Sequence, residues 1–210
     1  MPQIKLTYFN LRGRGEACRL LLAYGGLAYE DERLAPPWEP ASTWPSLKPA
    51  TPWGQLPLLT WDGVQVAQSM AAARFIAREV GLAGSTSLEQ AQVDEVVDVV
   101  QDLTNTWVRL YFTRDEAGLR RFAEVTLTTA LAQLERRLAA RGGRHFVGSS
   151  LSWADLHVFM YLGDGEYKLA GREELYPNLA NLYARVGEIP NIKAWIEARP
   201  KTELPAKSPF

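Results

Sequence analysis

Gln55-Leu56-Pro57-Leu58-Leu59-Thr60-Trp61-Asp62-Gly63-Val64-Gln65-Val66-Ala67-Gln68-Ser69 decides how this chain is read. Pro57 has no N–H and cannot extend a sheet ladder through its own nitrogen, but it is tolerated at a strand's first residue, where a cis bond after Leu56 fits. Such a bond leaves the N–H and C=O of Leu56 turned toward a peptide-like ligand. Asp62-Gly63 between two short apolar runs is a two-residue hairpin signal. Ser69 then starts a helix and offers its hydroxyl and backbone N–H groups to a carboxylate. These residues together make a docking frame for a small acidic peptide.

Working outward, Ile4 to Phe9 reads as a strand ended by Arg12-Gly13-Arg14-Gly15. A helix carrying Ala17, Leu20, Leu21 and Tyr24 follows and stops at Gly25-Gly26. Tyr29 to Leu34 reads as a second strand. Residues 35–55 hold six prolines and four Ser or Thr residues and read as a long irregular loop. The order β-α-β, loop, β-β-α over residues 1–81 is that of a thioredoxin-like domain. Residues 82–210 read as a second, all-helical domain. Its first helix carries Val93, Val96, Val97, Val100, Leu103, Trp107, Leu110 and Tyr111 on one stripe, and its second runs from about Glu116 to Ala140. Ser152-Trp153-Ala154-Asp155, flanked by Leu151 and Leu156, has the pattern of a capping box with a hydrophobic staple. That motif is expected to anchor a helix and to carry no chemistry.

Composition bounds the function. The 210 residues are 47% hydrophobic and 22% charged with a net charge of −1, a globular balance with no overall bias toward nucleic acid or an anionic membrane. No apolar run reaches the ~18 residues of a membrane span. The start Met1-Pro2-Gln3-Ile4-Lys5 has no apolar signal region, so a cytoplasmic location is expected. A single cysteine, Cys18, excludes an internal disulfide and any CxxC pair; its apolar helical setting points to a buried, inert thiol. His145 and His157 are the only two histidines, too few and too far apart in sequence for a metal cluster.

Tyr8-Phe9-Asn10-Leu11-Arg12-Gly13-Arg14-Gly15-Glu16, Trp44-Pro45-Ser46-Leu47-Lys48, Gly54-Gln55-Leu56-Pro57, Gln68-Ser69-Met70 and Val93-Asp94-Glu95 together resemble the glutathione transferases, specifically the sigma class. The Ser152 to Asp155 box matches the superfamily's helix-capping motif, and the resemblance covers nearly the whole chain. It implies a cytosolic homodimer that uses glutathione as co-substrate, requires no metal, and conjugates it to small hydrophobic electrophiles in detoxification. Tyr8 would be the catalytic residue: the thiolate is the nucleophile, and a phenol hydrogen bond to sulfur favours the charged form.

The glutathione-binding residues implied by the resemblance are Tyr8, Arg14, Trp44, Lys48, Gly54, Gln55, Leu56, Pro57, Gln68 and Ser69, with Asp102 contributed by the partner subunit. Gln68 and Ser69 would hold the γ-glutamyl carboxylate at a helix N-terminus. Leu56 would pair its backbone with the cysteinyl unit. Trp44, Lys48 and Gln55 would surround the glycyl end, with Trp38 the alternative to Trp44. A lysine often stands in sigma members where this chain has Gln55, so a charge is given up there. Arg14 would lie near the thiol. For the electrophile the candidates are Phe9, Gly13, Arg14, Thr104, Trp107, Arg109 and His157.

Two alternatives accompany this reading. One is a glutathione-dependent isomerase making prostaglandin D2 from prostaglandin H2. Those family members can bind a divalent cation through an acidic cluster at the dimer interface; here Asp94, Asp98 and Asp102 repeat at helical spacing, but Gln101 stands at one position of the cluster, and Arg109 stands where those enzymes carry a pocket tryptophan. The other is a non-catalytic, crystallin-like or ligand-binding member.

Overall fold

Two units emerge from the contacts along the chain in this computed structural model, which describes residues 2–163, 169 and 171–202. The first comprises the described residues as far as Val80 together with those from Pro190 onward; the second runs from Gly81 to Ile189.

In the first unit, β1 (Ile4–Phe9), β2 (Glu30–Leu34), β3 (Leu58–Trp61) and β4 (Val64–Ala67) form a sheet in the order β2-β1-β3-β4. β1 and β2 are parallel, with Leu6 opposite Asp31 and Tyr8 opposite Arg33, a pairing that requires the crossover helix α1 (Glu16–Tyr24). β3 runs antiparallel to both neighbours, with Leu6 opposite Leu59 and Leu59 opposite Val66. β1 is central and mostly buried, with Ile4, Leu6 and Tyr8 on one face and Lys5, Thr7 and Phe9 on the other. Asp62 and Gly63 both have positive φ, at 48° and 82°, the conformation that a tight two-residue hairpin demands and that this dipeptide adopts cheaply. α3 (Ser69–Glu79) follows β4 and packs on α1, burying Ala72, Ala73, Ile76 and Ala77. This is the thioredoxin-like arrangement anticipated from the element order.

The loop of residues 35–55 is more ordered than its proline content suggests. It contains a one-turn helix, α2 (Trp44–Leu47), with proline in its first turn, followed by a 3₁₀ turn at Lys48–Ala50. Proline has the φ of a helix start and loses nothing there, so prolines that read as breakers act here as initiators. The last helix, α9 (Pro190–Ala198), which the sequence reading placed with the helical domain, packs on α1 and groups with the first unit.

The second unit opens with α4 (Ser87–Phe112), capped by the Thr86 hydroxyl, which accepts the Glu89 N–H at 3.1 Å. Its buried stripe is Val93, Val96, Val97, Val100, Leu103 and Leu110. The helix expected from Glu116 to Ala140 is there but not uniform: α5 (Glu116–Arg121) passes through a π-helical turn at Phe122–Leu127 into α6 (Thr128–Ala139). The reason lies in the apolar spacing. Phe122, Leu127, Leu131, Leu134 and Leu138 are all buried, while Val125 is 58% exposed. A straight α-helix would turn Val125 inward and carry Leu127 off the stripe; the wider turn resets the register. α7 (Trp153–Leu162) is buried almost all round, and its sequence is apolar apart from Asp155 and His157. α8 (Pro177–Gly187) has its N-terminus capped from outside: the Glu135 carboxylate accepts the N–H groups of Asn178 and Leu179 at 3.0 and 2.9 Å.

The capping box at α7 forms as read. The fully buried Asp155 accepts the Ser152 N–H at 2.8 Å and also reaches outside the helix to the Phe146 N–H at 2.9 Å. Among the described residues no helix is long and apolar enough to cross a membrane.

Ser152→Ala is expected to cost about 0.5–2 kcal/mol of stability. Asp155→Ala should lower the urea midpoint further, because it orphans two buried N–H groups instead of weakening one cap. Equal midpoints for the two variants would contradict this ranking. Cys18 is buried, and desolvation pushes its thiol up to about 12. Native protein should therefore resist alkylation that the unfolded chain undergoes readily. The folded thiol keeps its proton above about pH 8.5, where an unfolded one loses it. Its stabilising contribution is thus complete below that pH and is lost as pH rises toward about 12.

Candidate functional site

Tyr8 lies near the end of β1 with 8% of its surface exposed, and the turn that follows is built around its ring. Its hydroxyl oxygen accepts the backbone N–H of Arg14 at 3.1 Å. A Cβ on Gly13 would come within 2.7 Å of that oxygen, and one on Gly15 within 2.7 Å of the ring's Cδ1. Two glycines flanking Arg14 are therefore what lets the backbone lie against the phenol. Phe9 tilts against the ring at 5.5 Å between centroids, and the Arg19 guanidinium lies 5.8 Å from the ring centre. Burial pushes the Tyr8 hydroxyl above its ordinary pKa; the Arg14 N–H, then the charges of Arg14 and Arg19, partly oppose this. The phenol stays protonated at neutral pH. With its oxygen already accepting from Arg14, its own O–H is available as a donor.

The frame of the opening stretch is in the same unit. Leu56–Pro57 is cis. Pro57 is buried, while Gln55 and Gln68 are exposed. Gln68 holds φ +70° and ψ 114° at the residue before α3, a conformation that few non-glycine residues adopt and that often marks functional sites. Its side-chain amide donates to Gln55 Oε1 at 2.9 Å, so the two glutamines that the sequence suggested for opposite ends of a ligand are bonded to each other. Ser69 is buried at the first turn of α3. Trp44 is buried, its ring edge-on to Phe9 at 5.6 Å, linking the α2 loop to β1. Lys48 is exposed and its stem runs beside Gly54, where a φ of +62° favours glycine. Arg14 is half-buried and Gly13 exposed.

The remaining candidates lie in the second unit. Asp102 and Arg109 are exposed on α4. Thr104 is buried and returns its hydroxyl to the Val100 carbonyl at 3.0 Å. Trp107 stacks on Tyr111 at 5.1 Å. His157 is buried on α7 between the rings of Trp153 and Tyr161. Among the described residues no three His, Cys, Asp or Glu side chains gather in a way that could hold a metal ion.

The sequence reading overlooked the group beneath Tyr8. Glu16 and Arg19, the first and fourth residues of α1, are both buried. Arg19 donates to the Leu11 carbonyl at 2.7 Å and to Asp31 at 3.0 Å, and Asp31 also pairs with Arg33 at 2.7 Å. A visible signal was an acid and an arginine three residues apart at an otherwise apolar helix start. Gly15 was likewise passed over, though its approach to Tyr8 is as close as that of Gly13.

Residues 4–78 match the family model described as glutathione S-transferase, N-terminal domain, and residues 101–199 the one described as glutathione S-transferase, C-terminal domain. The chain is 41% identical over 208 residues to the hematopoietic prostaglandin D synthase of Gallus gallus, covering 97% of this chain and 100% of that one. It is 40% identical over 209 residues to glutathione S-transferase 1 of Ascaris suum, covering 96% and 99%. Among solved structures, a monomeric glutathione S-transferase from the hookworm Necator americanus superposes with a TM-score of 0.83 at 33% identity, covering 96% of this chain and all of that one. The chain belongs to the glutathione S-transferase family.

Proposed function

We propose that this protein is a sigma-class glutathione transferase in which Tyr8 activates the thiol of glutathione for attack on small hydrophobic electrophiles. The observation that carries the reading is the buried, protonated Tyr8 hydroxyl, whose oxygen already accepts from Arg14 and whose proton is available to donate. A donor aimed at sulfur stabilises thiolate over thiol and lowers the thiol's pKa, so that more nucleophile is present at neutral pH. The thiol proton leaves to solvent, the thiolate forms the carbon–sulfur bond, and with an aryl halide the halide departs.

In this reading Ser69 and the N–H groups at the start of α3 receive the γ-glutamyl carboxylate, with Gln68 beside them. Leu56 pairs with the cysteinyl backbone, and Trp44, Lys48, Gly54 and Gln55 hold the glycyl end. Because Gln55 and Gln68 are bonded to each other, a ligand engages them as a pair and must exchange or share that bond. The enzyme works as a cytoplasmic homodimer, with Asp102 of one subunit serving the other's site. Phe9, Gly13, Arg14, Thr104, Trp107, Arg109 and His157 remain the proposed electrophile contacts, and no metal is required.

One further reading has specific support: 41% identity to a protein named hematopoietic prostaglandin D synthase. There the thiolate would attack an endoperoxide oxygen of prostaglandin H2, with glutathione regenerated. Against a non-catalytic, crystallin-like role stands the near-complete set of residues that the resemblance assigns to glutathione.

Conjugation of glutathione to an aryl halide should fall roughly a hundredfold in Tyr8→Phe, with the acidic limb of the pH–rate profile moving up by about one to two units. Unchanged rate and profile would remove Tyr8 from the mechanism; no glutathione binding by wild type would remove the enzyme. Turnover of prostaglandin H2, assayed with and without Mg²⁺, tests the isomerase. Gly15→Ala, whose backbone conformation suits alanine, forces the Tyr8 ring to move and should lower kcat roughly tenfold while the thermal melt stays cooperative.

A further inference from the structure

Glu16 is a carboxylate only 1% exposed, and it is held by groups from distant parts of the chain. Its Oε2 lies 3.4 Å from Arg19 one turn along the same helix. Its Oε1 accepts from the Trp195 indole N–H at 2.9 Å and from Arg199 at 2.8 Å, the first on the last helix, α9, and the second just beyond it. At the opposite end of α1, the Asn191 side chain donates to the Tyr24 carbonyl at 3.3 Å. Ile192, between these contacts, is fully buried. The last helix is thus fastened to both ends of α1.

What Glu16 begins is the helix that follows the Tyr8 floor directly. Its backbone N–H closes the Gly13–Gly15 turn by donating to the Gly13 carbonyl. That turn supplies the Arg14 N–H to the Tyr8 hydroxyl and the bare face of Gly15 to the Tyr8 ring. Arg19, drawn toward Glu16 from one side and Asp31 from the other, is the cation under the same ring. A shift of Glu16 therefore reaches Tyr8 by two routes, the backbone of the turn and the charge of Arg19.

We infer that the clasp of Trp195 and Arg199 on Glu16 is a positioning device for Tyr8, so that the far end of the chain sets how well the tyrosine stabilises the glutathione thiolate. The inference rests on the reading of Tyr8 as the activating residue. Trp195 and Arg199 are positioning residues: they act through Glu16 and the Gly13–Gly15 turn.

The test uses Trp195→Phe, which removes one N–H and keeps an aromatic ring, together with Arg199→Ala and Arg199→Lys, in the wild-type and Tyr8→Phe backgrounds. Rates with an aryl halide are measured across pH, and folded fraction is measured by thermal melt. In the wild-type background, Arg199→Ala should lower kcat roughly tenfold, leave the KM for glutathione within about twofold, and move the acidic limb upward by about half to one pH unit. Trp195→Phe should do the same more weakly, and Arg199→Lys should restore most of the loss. With Tyr8→Phe in place, Arg199→Ala should add little, since both changes remove one effect. A pH profile that stays put while activity follows the folded fraction would overturn the inference, as would a full further loss in the Tyr8→Phe background. The two ideas fail differently. A Tyr8→Phe shift with unmoved clasp variants removes the clasp alone, whereas identical wild-type and Tyr8→Phe profiles remove the tyrosine reading and the clasp's purpose with it.

Discussion

Arg19 carries a full charge with no access to water, and much of the first unit is arranged to satisfy it. A lone buried guanidinium would be prohibitive. The chain answers with a backbone carbonyl at Leu11, a carboxylate on β2 and another at the start of its own helix. Each answer fixes a different part of the fold: Leu11 fixes the exit from β1, Asp31 fixes β2 against α1, and Glu16 fixes the first turn of α1. The three partners engage Nε and Nη1 and leave Nη2 without a hydrogen bond among the described residues, so the buried cation ties these three elements to one another. Tyr8 lies over that set, so the same arrangement that neutralises the cation holds the phenol.

The parts of this structure that were legible in the sequence are those governed by local rules. Asp62-Gly63 forms its hairpin because two positive φ angles in succession suit that dipeptide. Ser152 and Asp155 close a box because the partners are three residues apart. Pro57 stands immediately before β3 and Ser69 opens α3 for similarly local reasons. Tyr8 was legible as a candidate only through its neighbours in a family pattern; nothing in one tyrosine at a strand end announces chemistry.

What the sequence did not disclose are pairings without a spacing rule. Trp195 and Arg199 meet Glu16 across 179 and 183 residues, and no periodicity in either segment names the other. The bond between Gln55 and Gln68 is of the same kind: each glutamine is readable as a ligand contact, but that the hairpin brings them together is a matter of register. The π-helical turn was hidden for another reason. Its apolar residues fit an α-helical stripe well enough that only the exposure of Val125 and the burial of Leu127 tell the two apart.

That turn has a consequence for how the helical unit tolerates changes in length. A π-helical turn holds one residue more than the α-helical turn it replaces, and the ladder of hydrogen bonds absorbs the surplus locally. Removing one residue among 123–126 would leave an ordinary helix with Phe122 and Leu127 four positions apart, both still facing inward. The same deletion inside α6 would rotate everything on one side of it by about 100° and break the row that Leu131, Leu134 and Leu138 share. The segment thus acts as an expansion joint: the one place along α5 and α6 where the chain can lose a residue while the packing beyond it keeps its phase.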